Sequence, residues 1–300
     1  MAKIIIIGNS AAGFSACETL VKSGFGNEIT VITKESFCPY RKDRLFDYLA
    51  GNIKEKELFL CKEDFYQSNN VSFLKGATVI KVDTKKQRII LKDNSRMDYD
   101  YLIIASGESV KLPDASGVHK DGVFSLSSLE EIKQIITRLM VTNTVGIVGA
   151  GPFVSMFCEI LLAKNIDVKV IGKTAGFLSI QNEKLELISD VDIAEFIGEA
   201  ELKAVKLTNG KIIGMPLVIF TGNFKPDTEF LAESDLTLLE GFVVVDENMR
   251  SSIENIFACT AAARKADREK SEKTFEQEKE EGARTGENIL KALQLIPVKA

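Results

Sequence analysis

Lys3-Ile4-Ile5-Ile6-Ile7-Gly8-Asn9-Ser10-Ala11-Ala12-Gly13, followed by Phe14-Ser15-Ala16-Cys17-Glu18-Thr19-Leu20, decides the fold of this chain. The isoleucine run reads as a buried strand, the glycine stretch from Gly8 as a turn, and about Ala11 to Val21 as a helix ending near Ser23-Gly24. Strand, glycine turn and helix in that order aim backbone N–H groups and a helix N-terminus at a pyrophosphate. Gly8 permits the tight turn, and Gly13 lets the helix approach the strand closely. Ser10 takes the place of the middle glycine, where a small side chain still lets the backbone approach a phosphate; Ala12 belongs to the same turn. The next strand is Glu28-Ile29-Thr30-Val31-Ile32. Glu35 closes it, about 20 residues beyond Gly13, and its two oxygens suit the two hydroxyls of an adenosine ribose. An exposed loop acid is the alternative reading.

The signal recurs as Thr144-Val145-Gly146-Ile147-Val148-Gly149-Ala150-Gly151-Pro152-Phe153-Val154. One such unit indicates a dinucleotide; two indicate a flavoprotein that exchanges electrons with a second nucleotide. Gly149 and Gly151 are in place, but Val154 replaces the third glycine, and a β-branched side chain there pushes the helix off its strand. The following strand ends Ile171-Gly172-Lys173-Thr174, without a ribose acid; Lys173 offers a single cation to a 2′-phosphate. Two readings stay open: a weak NAD(P)H site, or a scaffold that no longer binds it.

Between and after these units, Thr78–Val82 and Gln87–Leu91 read as a hairpin, and Tyr101–Ala105 as a buried strand ending at Ser106-Gly107. A helix is expected over Lys62 to Gln67 and an amphipathic one over Leu126 to Val141. Ala200–Leu207 and Lys211–Phe220 flank Asn209-Gly210, a hairpin dipeptide. Gly241–Asp246 and Ile256–Cys259 are further strands. Ala266 to Leu293 is charged and reads as a helix with a solvated face.

A chain of 300 residues with 45% hydrophobic and 27% charged content has enough material for two globular cores. The net charge of −5, with no basic stripe, argues against nucleic acid and anionic membrane as partners. The opening apolar run is too short to span a bilayer and lacks the charged leader of a signal peptide. Five cysteines lie far apart with no Cys-x-x-Cys spacing, which argues against zinc, an iron–sulfur cluster and a dithiol of close neighbours. No metal is expected, and a reducing cytoplasm fits. His119, the single histidine, falls in a connecting segment and reads as a surface residue.

The order of parts resembles pyridine-nucleotide-dependent flavoprotein reductases of the glutathione-reductase-like superfamily. It is most similar to the branch of NADH:rubredoxin reductases and the flavin portion of nitrite reductase large subunits. The resemblance rests on Ile5–Gly13, Ile29–Glu35 with Pro39-Tyr40-Arg41-Lys42-Asp43-Arg44-Leu45, Tyr99–Gly107, Val148–Gly151, Leu217–Leu231 and Gly241–Ala262. It implies an α/β fold of two Rossmann-like three-layer nucleotide-binding domains, the second inserted in the first: an FAD-binding domain over 1–112 and 240–300, and an NAD(P)-binding-like domain over 113–239. It places Lys42 and Arg44 beside the flavin, where a cation stabilises negative charge at N1. It also gives the backbone at Val79 to adenine, and Ala105, Ser106 and Gly107 to the flavin. The family's Gly-Asp after the last strand, whose Asp holds the ribityl chain, is here Thr260-Ala261. Cys38 stands where the rubredoxin-reductase branch has proline, and reads as a packed or exposed thiol; the single redox cysteine that some relatives use in that region is the alternative. The family carries a C-terminal interface domain, and this sequence stops about where that domain begins.

The expected function is an FAD-dependent oxidoreductase that passes electrons between NAD(P)H and a small redox protein or associated catalytic subunit, with Lys42 and Arg44 tuning the flavin. The alternative is an FAD-holding electron-relay or structural subunit of a larger redox complex, with no NAD(P)H step of its own. A nucleotide-binding protein that has lost FAD is a third reading.

Overall fold

The computed structural model describes residues 1–24, 26, 28–149, 151–172, 179–265 and 273–294. Lys173 and Thr174, invoked above, lie outside the described residues. The helices used below are α1 (Ala11–Lys22), α2 (Leu45–Ala50), α3 (Phe65–Ser68), α4 (Leu129–Leu139), α5 (Pro152–Ala163) and α6 (Phe275–Ala292). The chain divides into two compact units, Met1–Arg41 with Leu58–Glu108 and Pro226–Ala300, and Lys42–Glu57 with Ser109–Lys225. Among the described residues no helix is long and apolar enough to cross a membrane.

The fold is α/β. The first unit holds a five-stranded parallel sheet in the order Ile256–Ala258, Tyr101–Ile104, Lys3–Ile7, Glu28–Thr33, Ser72–Lys75. Alternation along Lys3–Ile7 sets its layers, because successive side chains point to opposite faces. Ile4 and Ile6 pack with Ala12, Ala16 and Leu20 of α1 and Ile289 of α6. Ile5 and Ile7 pack with Val79, Val82, Ile89 and Leu91. The last four residues belong to an antiparallel sheet of Val79–Asp83, Arg88–Leu91 and Arg96–Asp98. A parallel sheet buried on both faces explains why its strands are almost wholly apolar.

The second unit repeats the plan. Its parallel sheet runs Leu185–Ile188, Asp167–Ile171, Thr144–Gly149, Val218–Thr221, Val123–Ser125, again with the glycine-turn strand at its centre. A second antiparallel sheet of Ile193–Ile197, Ala204–Leu207 and Ile212–Gly214 buries Phe196, Val205 and Leu207 against Ile171, Val218 and Phe220. The two sheets differ in their outermost strand. In the first unit it comes from the end of the chain; in the second it comes from the segment preceding the glycine turn.

Two stretches of secondary structure depart from the sequence reading. Lys211–Phe220 is two strands, because Pro216 has no N–H to donate to a ladder: Ile212–Gly214 turns back on Ala204–Leu207, and Val218–Thr221 joins the parallel sheet. The helix expected over Lys62 to Gln67 is the single turn α3. Within 1–112, the segment Lys42–Glu57 groups with the second unit, where α2 packs on α4 and α5 and Phe46 stacks on Phe153 at 5.8 Å. Within 113–239, Leu231 and Leu236 enter the core of the first unit.

The charged C-terminal helix is more than a solvated face. A reciprocal capping box between Thr274 and Gln277 starts α6. Its buried stripe includes Gly282, Thr285, Gly286, Ile289 and Leu290. A Cβ at Gly282 would stand 2.2 Å from the carbonyl oxygen of Ala12, and one at Gly286 2.9 Å from that of Ala16. The two glycines therefore let α6 lie directly on the backbone of α1. Gly282→Val should cost about 1–3 kcal/mol or more, since neither helix backbone can yield easily, while the exposed Glu280→Ala stays within about 0.5 kcal/mol. Urea unfolding of both variants checks this; equal stability would remove the packing role of Gly282.

Candidate functional site

In the first unit the sequence-expected residues converge at the carboxyl ends of neighbouring parallel strands, where open α/β sheets bind ligands. Gly8 follows Lys3–Ile7 with φ +104°, and a Cβ there would lie 2.0 Å from the carbonyl oxygen of Ala105. Gly13 is equally constrained, with a Cβ 2.1 Å from the carbonyl oxygen of Gly8. Both positions exclude a side chain by contact with backbone. Ala105 N donates to Ile7 O at 2.8 Å, which fixes the two strand ends together. Gly107, at φ +78°, accepts from Asp227 N at 3.0 Å.

Ser10 caps α1 in an extended conformation, and its side chain makes no capping hydrogen bond. The first N–H groups of α1 are thus left to a ligand or solvent. Ala12 is buried, with its backbone against Gly282, so its structural part is packing. Beside the turn, Tyr66 donates from its hydroxyl to Asn9 Oδ1 at 2.5 Å. Burial holds the Tyr66 phenol far above the usual tyrosine range, so it remains a donor. Asn9 Nδ2 and Ser106 Oγ are buried with no hydrogen-bond partner among the described residues. Buried donors of this kind are ordinarily satisfied, and these two flank the glycine turn.

Glu35 lies two residues past the strand Glu28–Thr33, half-buried. Tyr40 donates to its Oε2 at 2.5 Å, and Gly76 N donates to its backbone oxygen at 3.2 Å. The carboxylate is therefore held in place, which a free surface acid is not. Val79 is buried at the start of the antiparallel sheet.

Thr260 follows the strand Ile256–Ala258 with φ +55°, an unusual backbone for a β-branched residue. Its N–H donates to Glu281 Oε2 at 2.9 Å, and Lys273 Nζ meets the same oxygen at 2.7 Å. Glu281 lies on α6, so a residue distant in sequence closes the turn that here lacks an Asp. Lys42 and Arg44 form a short 3-10 helix that groups with the second unit, where Arg44 Nε meets Asp47 Oδ2 at 3.4 Å. The structure does not gather them into one compact unit with Gly8 and Glu35.

In the second unit Gly149 is again backed by carbonyl, its Cβ position 2.0 Å from Thr221 O. Gly151 is the N-cap of α5 at φ +81°, with open space beside it. Val154 is 3% exposed and occupies the turn position that Gly13 holds in α1. A branched side chain is accommodated here at the position where the first turn admits no Cβ. Ala150 lies outside the described residues.

Sequence reasoning missed Asn9, Tyr40, Tyr66 and Glu281. It also read the cysteines as far apart, whereas the Cys38 and Cys61 thiols are near enough to shift each other's ionisation. Cys259 is fully buried, with its thiol pushed up to about 12 by burial, which suits a core residue. His119 is exposed. Among the described residues no group of three or more His, Cys, Asp or Glu could hold a metal ion.

A family model described as pyridine nucleotide-disulphide oxidoreductase matches residues 2–280, and the chain belongs to that family. It is similar to an NADH oxidase of Methanocaldococcus jannaschii, 27% identical over 278 residues that make up 85% of this chain and 62% of that protein. It is also similar to the NADH-rubredoxin oxidoreductase of Clostridium acetobutylicum, 29% identical over 268 residues, 86% of this chain and 67% of that one. The crystal structure of the covalent putidaredoxin reductase–putidaredoxin complex shares the fold, with a TM-score of 0.84 at 22% identity, covering 96% of this chain and 75% of that one.

Glu281→Ala should strand the Thr260 N–H and cost about 1.5–3 kcal/mol, the usual loss for a hydrogen bond to a charged group. Glu281→Gln, which keeps an acceptor oxygen, should cost less. Thermal or urea unfolding distinguishes them, and equal stability of both variants with the parent would show that the contact holds nothing.

Proposed function

We propose that the chain is an FAD-dependent oxidoreductase that carries electrons between NAD(P)H and a small redox protein or an associated catalytic subunit. The observation that carries this reading is the first glycine turn, with its excluded Cβ positions, uncapped helix N-terminus and unpartnered buried Asn9 Nδ2 and Ser106 Oγ. That donor set fits a pyrophosphate-linked dinucleotide: N–H groups and an amide for anionic oxygens, and a hydroxyl for the ring end. Membership of the family, and similarity to proteins described as an NADH oxidase and an NADH-rubredoxin oxidoreductase, support the same reading.

In this proposal the first unit is the FAD-binding domain and the second the NAD(P)-binding-like domain. FAD supplies hydride and electron-transfer chemistry when bound. Gly8, Ser10 and Gly13 give the pyrophosphate its approach. Glu35, held by Tyr40, orients the ribose. Val79 offers backbone to adenine, and Ala105, Ser106, Gly107 and Thr260 line the flavin end. The resemblance assigns Lys42 and Arg44 to the electrostatics of the reduced ring, and Gly149 and Gly151 receive the second dinucleotide. Five free cysteines suit a reducing compartment, and we assign the protein to the cytoplasm on that basis.

Val154 supports the second reading, a relay subunit that holds FAD without a nicotinamide step, because a branched side chain replaces the glycine that would draw the helix close to its strand. Anaerobic mixing of the yellow protein with NADH or NADPH separates the two. Bleaching of the flavin bands within seconds is expected; bleaching by dithionite alone would replace the enzyme by the relay. Loss of the ribose acid in Glu35→Ala should weaken FAD retention by about 1.5–3 kcal/mol, or one to two decades in Kd. Unchanged FAD affinity would remove Glu35 from the site.

A further inference from the structure

We propose that Cys38 and Cys61 form a thiol–disulfide site, closing by exchange with a low-molecular-weight disulfide to fasten together the two bridged segments that bracket Lys42–Glu57. The inference begins with backbone register. Tyr40 and Phe59 pair antiparallel, Arg41 N donates to Leu58 O at 2.9 Å, and Leu60 N donates to Pro39 O at 2.8 Å. These bonds flank Tyr40 and Phe59, which makes them a non-hydrogen-bonded pair. The bridge is isolated, and Cys38 and Cys61 each lie two residues beyond it on the same side, next to the bonded Pro39 and Leu60. Non-hydrogen-bonded pairs such as Tyr40 and Phe59 have Cα atoms about 4.5 Å apart, so residues just beyond the bridge start close to the roughly 4.4–6.8 Å that a disulfide spans.

The side chains agree with the backbone. Both cysteines are free, and the two thiols are near enough to shift each other's ionisation. Cys17, on α1, is also close to Cys61 but has no exposed surface. Cys61 is the most exposed of the three and is the point of entry. Burial, with the charges of Asp64 and Glu18 adding to it, pushes the Cys61 thiol up to about 12. Burial also raises Cys38, with Lys75 opposing and Glu63 adding. Little thiolate exists near neutral pH, so exchange is slow. The same basicity makes each sulfur a poor leaving group, so the bond resists reduction once made. The neighbourhood reaches the glycine turn through Tyr66, which lies near all three thiols and donates to Asn9.

The steps balance. Cys61 thiolate attacks the small disulfide, forming a mixed disulfide and releasing one thiolate. Cys38 thiolate then attacks Cys61 Sγ, forming the internal bond and releasing the second. The protein loses two electrons and two protons; the small disulfide becomes two thiols. The inference is independent of the proposed function, since it needs neither dinucleotide.

The test is incubation of the full chain with glutathione disulfide at mildly alkaline pH, followed by thiol titration in denaturant and mapping of unreduced peptides. Two of the five free thiols should disappear into one cross-linked peptide pair containing Cys38 and Cys61, and dithiothreitol should restore both. Cys17→Ser should behave as the parent. Cys38→Ser should stop at a glutathione adduct on Cys61, and Cys61→Ser should form no internal bond. The parent's unfolding temperature should rise on oxidation, and that of Cys61→Ser should not. Retention of all five thiols, a bridge involving Cys17, glutathione adducts alone on the parent, or an unchanged unfolding temperature of the bridged protein would each overturn the proposal. The peptide map is made on the parent, so a variant that fails to fold does not spoil the test.

Discussion

Everything proposed for the first unit depends on a contact that only glycine allows: the backbone of Gly8 against the carbonyl of Ala105, and Gly13 against the carbonyl of Gly8. Those approaches bring the strand ends at Ile7 and Ile104 together and seat α1 directly behind the turn. α6 extends the same construction outward, with Gly282 and Gly286 laid on the backbone of Ala12 and Ala16. The layering is thus a stack of backbones brought within van der Waals range, and side chains fill what remains. A helix held in this way presents its N-terminus at a fixed height above the sheet, which is what recognition of a pyrophosphate demands.

The second unit shows what happens when one of these contacts is relaxed. Gly149 keeps its approach to Thr221, yet Val154 occupies the place of the glycine that would draw α5 close. The two turns share a sequence pattern and a strand order, but not the glycine at this position. That difference is the physical ground for weighing an enzyme against a relay subunit.

Much of this was legible in the sequence, for identifiable reasons. The four isoleucines and the glycine spacing encode a strand and a turn locally, and period-2 burial assigns each isoleucine to a layer. The hairpin at Asn209-Gly210 was equally local, since its turn residues carry the signal. What stayed hidden was non-local. Glu281 meets Thr260 only because α6 crosses back over the sheet, and its charged sequence concealed a glycine-lined buried stripe. Cys38 and Cys61 are distant in sequence because the segment Lys42–Glu57 intervenes, and spacing rules for cysteine look only at neighbours. The grouping of Lys42 and Arg44 with the second unit follows from where α2 packs, which their own charges do not reveal.

The central claim is that the first turn binds an adenine dinucleotide through its pyrophosphate and ribose. Titration of flavin-free protein with FAD and with FMN, followed by quenching of flavin fluorescence, tests it most directly. FAD should bind at one per chain and FMN, which lacks the adenosine half, at least a hundredfold more weakly. Equal affinity for the two, or no binding of either by folded protein, would contradict the account.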